Sequence, residues 1–191
     1  MQIALKSGEH HINNGEHISG RLNWTGRDLE VQGVVKWKTS TRLGIEFSND
    51  ATKRENIIDY LRVDKIAKNL KPIHELDFSG DIPAKLKYWL RADGPVEVFI
   101  WQHSDGELAS FQVLIMENSV EWEDGKGLKT SRVISKRNID TPLISEDEFV
   151  FKIDDSLDEE KLEKARILIE NIDQNLLSGS ALDFLKLKLD A

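Results

Sequence analysis

Cysteine is absent from the 191 residues, so disulfides, thiolate nucleophiles and cysteine-ligated zinc are excluded, a composition that suits a reducing compartment. Long apolar runs are absent too. No stretch approaches the ~20 residues needed to span a bilayer, and Met1-Gln2-Ile3-Ala4-Leu5-Lys6 lacks the apolar core of a signal peptide, which makes the cytoplasm the expected location. Positive charge is the scarce sign: 26 Lys and Arg stand against 34 Asp and Glu, a net charge of -8. That balance works against nucleic acid or an anionic membrane as partner, since both need a dense positive footprint, and leaves a basic partner open. Catalytic signatures are missing as well, with no Gly-x-Ser-x-Gly and no phosphate-cradling glycine loop followed by Lys and Ser/Thr. Acidic pairs such as Asp154-Asp155 and Glu159-Glu160 lie in polar segments where nothing splits their pKa values. An enzyme is not expected, and no cofactor is implied.

What is present begins with alternation. Ile3 and Leu5 mark a short strand from Gln2 to Lys6, and Ile18, Leu22 and Trp24 share one parity in the next, from Gly15 to Trp24. Leu29, Val31, Val35 and Trp37 share a parity in the return run, where Gly33 suggests a bulge or bend. Leu43, Ile45 and Phe47 complete an antiparallel meander with one wet face. A helix follows, capped by Asn49 or Asp50 or by a Thr52 and Glu55 capping box. Its apolar face is Ile57, Ile58 and Leu61, and Val63, Ile66 and Leu70 extend it as a spacer toward Asn69.

The order of Gly15 before a strand, then Leu29-x-Val31-x-Gly33-x-Val35-x-Trp37, a polar turn, Leu43-Gly44-Ile45-Glu46-Phe47 and a helix resembles the second half of a PilZ domain. That family is a six-stranded antiparallel barrel, many members of which bind the bacterial messenger cyclic di-GMP. The resemblance covers about a third of the chain. It implies a half-barrel fold and a bacterial regulatory setting, but it carries over no ligand residue. The family reads its nucleotide with an Arg-x-x-x-Arg segment and an Asp/Asn-x-Ser-x-x-Gly turn, both ahead of the part matched here. No Arg-x-x-x-Arg occurs, and the nearest echo of the turn, Asp77-Phe78-Ser79-Gly80-Asp81-Ile82, ends in Ile82. Half a barrel leaves open edges, which the second β block, another subunit or residues upstream of Met1 would have to close.

From Lys71 to Pro83 the composition shifts to Pro, Asp, Ser and Gly, which marks a linker. Beyond it, Leu86, Tyr88 and Leu90 alternate, and Val96, Val98 and Ile100 do so with Phe99 and Trp101 on the other face, so this second strand is covered on both sides. Ser104-Asp105-Gly106 turns it into a hairpin with Leu108 to Met116, and Asp124-Gly125-Lys126-Gly127 joins a second hairpin, Asn118 to Glu123 with Leu128 to Ser135. Phe149, Phe151 and Ile153 suggest a last strand. Leu162, Ala165, Ile169, Ile172 and Leu176 then recur at helical steps behind a Ser156 and Glu159 capping box. Ser178-Gly179-Ser180 breaks that helix, and Ser180 with Asp183 restarts it through Leu182, Leu185 and Leu189, a helical hairpin whose apolar side either packs onto the chain's own β module or forms a dimer or partner-docking surface.

Three groups of residues are candidates for chemistry. Glu9, His10, His11, Glu16 and His17 gather potential zinc or nickel ligands, although His10 and His11 point opposite ways in an extended chain, so a metal site is not expected. Trp89, Phe99, Trp101, Phe111 and Trp122 read as core or as a stacking face for a ligand or partner. Lys126, Lys129, Arg132, Lys136 and Arg137 form a basic run, either a solvated strand or an anion patch. With Asp77 and Ser79, the residues Lys126, Lys129 and Arg132 are the candidate ligand positions.

The fold expected is α+β: a PilZ-like antiparallel β half-barrel with its helix over 1–70, a linker over 71–83, a second antiparallel β module over 84–155 and a C-terminal helical hairpin over 156–191. The function expected is a bacterial regulatory or adaptor protein related to cyclic di-GMP effectors. It would not bind the nucleotide itself and would act by protein contacts or self-association through the C-terminal helices. The alternative is a genuine binding module for cyclic di-GMP or another anion on the aromatic and basic face of the second β module.

Overall fold

The computed structural model describes residues 2–4, 8–24, 27–48, 50–73, 85–92, 96–136 and 149–190, and the chain divides between Arg62 and Val63 into two units. In the first, β1 (Gln2–Ala4), β2 (His17–Trp24), β3 (Arg27–Lys38) and β4 (Arg42–Phe47) pair antiparallel in the order β1-β4-β3-β2. Among the described residues this sheet is open and does not close into a barrel. Its core is the expected parity set: Val35, Leu43 and Ile45 are buried, with Ile3, Ile12 and Ile18 packed against them.

Trp37 departs from that parity. It is 43% exposed instead of buried. Val35 pairs with Ile45 but Trp37 pairs with Gly44, so Lys36 is one residue too many. A bulge of this kind reverses which face the following side chain takes. The indole then lies flat on Gly44, where an added Cβ would stand 1.9 Å from Nε1. The irregularity expected at Gly33 therefore sits at Lys36. Gly33 is needed for a different reason, close approach: a Cβ there would meet the Glu46 carbonyl oxygen at 2.4 Å and Ile45 Cγ2 at 2.6 Å.

Helix α1 (Ala51–Tyr60) starts on Asp50, one of the two expected caps, whose carboxylate accepts from the Lys53 amide at 3.1 Å, so the start does not rest on the expected Thr52 and Glu55 box; Asn49, the other candidate, lies outside the described residues. Its inward residue is Tyr60, with the hydroxyl in reach of the Leu22 and Arg27 carbonyls at 3.4 and 3.3 Å. That contact turns Ile58 and Leu61, expected on the packed face, outward. The helix also stops at Leu61 and does not continue as a spacer. Residues Val63–Ala67 form a separate short helix, α2, whose Ile66 and Ala67 are buried in the second unit.

Among the described residues the second unit has seven strands: β5 (Lys71–Pro72), β6 (Leu86–Ala92), β7 (Val96–Gln102), β8 (Leu108–Ile115), β9 (Asn118–Glu123), β10 (Gly127–Lys136) and β11 (Phe149–Ile153). Each pairs antiparallel with its neighbours in sequence, a simple meander. The start of the expected linker is thus part of a sheet: Lys71 and Pro72 pair with Arg91 and Leu90, and the Ile73 amide donates to the Trp89 carbonyl at 2.8 Å. The β8–β9 connection is only Met116-Glu117, with Met116 at φ 59, a left-handed turn with no glycine to announce it.

Register sorts the sheet into two faces. Leu90, Val98, Val113 and Val120 form one cross-strand row, and Ile100, Phe111 and Trp122 the next, all on the face covered by α3 (Glu159–Glu170) and α4 (Gly179–Leu189). Phe184 of α4 stands edge-on to Phe111 at 6.2 Å and to Trp122 at 5.2 Å. The helices expected as a separate 156–191 segment therefore share a unit with the sheet. Their apolar stripe, including Leu162, Ala165, Ile169, Leu182, Leu185 and Leu189, is buried.

Both helix starts differ from the expected capping boxes. Asp158 accepts from the Lys161 amide at 3.2 Å in place of Ser156, and Ser178 accepts from the Ala181 amide at 3.3 Å in place of Ser180. Asp158 holds that position because its own amide donates to Thr130 Oγ1 at 3.1 Å. Thr130 in turn donates to Asp154 at 2.6 Å, and Lys161 Nζ donates to the same carboxylate oxygen at 2.6 Å. This group ties the start of α3 to β10 and to the end of β11. At the other end Arg166 donates to the Leu189 carbonyl and to Asp190, satisfying acceptors at the end of α4.

Two stability measurements follow from these contacts. Gly33→Ala is expected to destabilise the first unit by roughly 1–3 kcal/mol in denaturant titrations, whereas Gly20→Ala, with nothing within 4 Å of the new Cβ, serves as the near-neutral control. Hydrogen bonds from Lys161, then Thr130, hold the Asp154 carboxyl below the ordinary aspartate range. Because its folded pKa is depressed, its stabilisation is complete above the unfolded value of about 3.9 and is lost as pH falls from there through the folded value. Asp154→Asn should lower stability at neutral pH by roughly 1–3 kcal/mol, and the gap from wild type should shrink in acid, as followed by thermal unfolding at pH 7 and pH 3.

Candidate functional site

The basic run is arranged by the register of β9 and β10. Lys129 lies opposite Glu121, and their side chains meet at 2.8 Å; Lys126 reaches Glu123 at 2.7 Å and Arg132 reaches Glu117 at 2.6 Å. These three candidate anion-binding residues are thus each held by a carboxylate. Asp77, Ser79 and Arg137 lie outside the described residues, as does the side chain of Lys136.

The histidine-rich segment does not gather. His10 places Nε2 3.2 Å from the Arg42 carbonyl oxygen, Glu16 accepts from the Asn13 amide at 2.9 Å, and His11 and His17 are exposed. Gly15, at φ 80, turns the chain so that its amide donates to the Val35 carbonyl, anchoring the loop on β3. Among the described residues no group of three or more His, Asp or Glu converges as metal ligands.

The aromatic residues split between the two faces of the seven-stranded sheet. Phe111 and Trp122 are buried under α4, with Lys188 Nζ 4.4 Å from the Trp122 ring centroid. Trp89, Phe99 and Trp101 line up on the opposite face at successive centroid distances of 5.6 Å. The first two are buried, together with Leu114 and Val133. Glu97 is buried beside them, its carboxylate 3.6 Å from Arg91 Nε and 3.4 Å from Trp89 Nε1, which donates to it.

Trp101, the third ring, is only partly buried and borders an open cleft of about 320 Å³. Register builds this cleft: Trp101, Ser110 and Glu123 occupy one row across β7, β8 and β9, and Glu121 sits in the adjacent row. Adjacent strands are about 4.8 Å apart, so the backbone positions of Trp101 and Glu123 are separated by about 10 Å, with a small serine between them. Asp124 and His103, 3.7 Å apart, close one end, and Lys85 lies on the rim. The sequence places Trp101 among the aromatics but carries no sign that Glu121, Glu123 and Asp124 are its neighbours. Cross-strand register is what brings them together.

A second open cleft, of about 830 Å³, crosses β2, β3 and β4 in the first unit at Ile18, Gly33 and Phe47. Lys53 donates to Gln32 Oε1 on its border at 2.7 Å. Among the described residues no helix is long and apolar enough to cross a membrane. Comparison with family models, with curated proteins and with solved structures gives no match to the chain.

Lys129 and Glu121 are both about one-third exposed, so in a double-mutant cycle of Lys129→Ala and Glu121→Ala the coupling is expected to stay below about 1 kcal/mol. A larger coupling would mean that the pair is a structural element and not an exchangeable surface contact.

Proposed function

We propose that the chain is a bacterial cytoplasmic regulatory or adaptor protein, PilZ-like in its first unit, that works through contacts with another protein and does not itself read cyclic di-GMP. The observation that carries this reading is the pairing of Lys126, Lys129 and Arg132 with Glu123, Glu121 and Glu117. A cyclic dinucleotide presents two phosphates, and its recognition needs cations free to approach them. The cations of this run are already neutralised, and the sequence offers no Arg-x-x-x-Arg to replace them. The PilZ-like order of β2, β3, β4 and α1 supports the regulatory setting. The burial of the C-terminal apolar stripe moves the expected contact surface away from that stripe and toward the second face of the sheet. The alternative, anion binding on the aromatic and basic face, loses its cations to the same ion pairs.

Isothermal titration of the full chain with cyclic di-GMP is the test. No saturable heat is expected, and saturable binding at micromolar affinity or tighter would overturn the reading.

A further inference from the structure

We infer that the turn Asn14-Gly15 is a site of spontaneous backbone modification, deamidation through a cyclic imide, and that its attachment to β3 gates the reaction. The inference goes beyond the adaptor reading and does not rest on it. The sequence contains a single Asn-Gly pair, this one. Ring closure brings the amide nitrogen of the following residue onto the asparagine side-chain carbonyl carbon, and a side chain on that residue obstructs the approach; glycine has none. Asn14 is exposed, Gly15 stands at φ 80, and a Cβ added at Gly15 would meet nothing within 4 Å, so the turn leaves room for the ring.

The reaction needs only water and hydroxide. The Gly15 nitrogen gives its proton to hydroxide and attacks Cγ of Asn14; the N–Cγ bond forms, the Cγ–Nδ2 bond breaks, and the side-chain nitrogen takes a proton from water and leaves as ammonia. Water then opens the imide at one of its two carbonyl carbons. Breaking the new N–Cγ bond leaves aspartate at position 14. Breaking the original peptide bond instead leaves isoaspartate, whose main chain runs through Cβ and Cγ. Either product adds a carboxylate next to Glu16 in a chain whose net charge is already -8.

The fold holds this step back. The Gly15 amide donates to the Val35 carbonyl at 2.8 Å, and the Val35 amide donates to the Glu16 carbonyl at 3.0 Å, so the nitrogen that must lose its proton is engaged with a core strand. Asn13 fastens the same loop: its amide donates to Glu16 at 2.9 Å, and its Oδ1 accepts from Lys38 Nζ at 3.0 Å. Attack therefore waits for the loop to leave β3, a local opening, and the rate follows the population of the open form. The longer main chain of the isoaspartate product then displaces the Gly15 amide from the Val35 carbonyl, so the modification records that the loop has opened and weakens its anchor.

The test incubates the full chain at mildly alkaline pH, native and in urea, and follows Asn14 by peptide mapping and mass spectrometry. Conversion to a mixture of aspartate and isoaspartate is expected, at least about tenfold faster in urea than in the native chain. Asn175, an exposed asparagine followed by Leu176, should convert far more slowly under both conditions. Hydrogen exchange at the Gly15 amide should show protection in the native chain. No conversion of Asn14 in urea, or conversion no faster than that of Asn175, would overturn the site. Equal rates in the native chain and in urea, or an unprotected Gly15 amide, would overturn the gate.

Discussion

The structure depends on β7 being apolar on both sides. From Val96 to Ile100 every residue is buried, Glu97 included. A strand of this kind is stable only inside a sheet that is covered on both faces, because either face left in water would forfeit roughly 25 cal/mol for each Å² of apolar surface exposed. Strands on both flanks supply the hydrogen bonds, and α3 and α4 cover one face, with Phe184 set edge-on against Phe111 and Trp122. On the other face Trp89, Phe99, Leu114 and Val133 form a cluster of their own, joined by Ile73 from the segment after β5.

Covering one face with helices requires those helices to be held at both ends, and polar groups do this. Thr130, Asp154 and Lys161 form a compact network at the start of α3, in which one carboxylate oxygen accepts from a hydroxyl and an ammonium and the hydroxyl accepts from the Asp158 amide. Arg166 performs the complementary task at the end of α4, donating to the Leu189 carbonyl that the helix leaves without a partner. Both groups are charge-assisted and partly buried, the regime in which hydrogen bonds contribute most. The packed face is apolar and non-directional, and these contacts give it a fixed register.

Charge is paired in the same way along the sheet. In the basic run on β10 and in the turn before it, the described cations are matched by carboxylates of β9 and the turn after β8, so positive charge there is spent on the sheet itself. Along the cleft at Trp101 the carboxylates are matched in the same way, Glu121 by Lys129 and Glu123 by Lys126, while Asp124 lies 3.7 Å from His103.

The order of the strands, β5 apart, was legible from alternation, because a half-buried or fully buried strand writes its burial directly into period two. Turns carrying Gly106 and Gly125 were legible for the same local reason, while the Met116-Glu117 turn was not, since nothing in those residues asks for a positive φ. Trp37 was misplaced by a single extra residue, Lys36, which inverts parity and leaves no mark in composition. The cap of α3 moved by two residues because Asp158 is chosen by Thr130, a partner 28 positions away. The sequence by itself determined most of the strands, the C-terminal helices and the sign of the overall charge, since these follow from neighbours along the chain, but neither β5 nor the break between α1 and α2. Only the tertiary structure decided which carboxylate each lysine meets, which aromatic ring remains in reach of solvent, and that Glu123 stands opposite Trp101, because cross-strand register is set by the packing of whole faces.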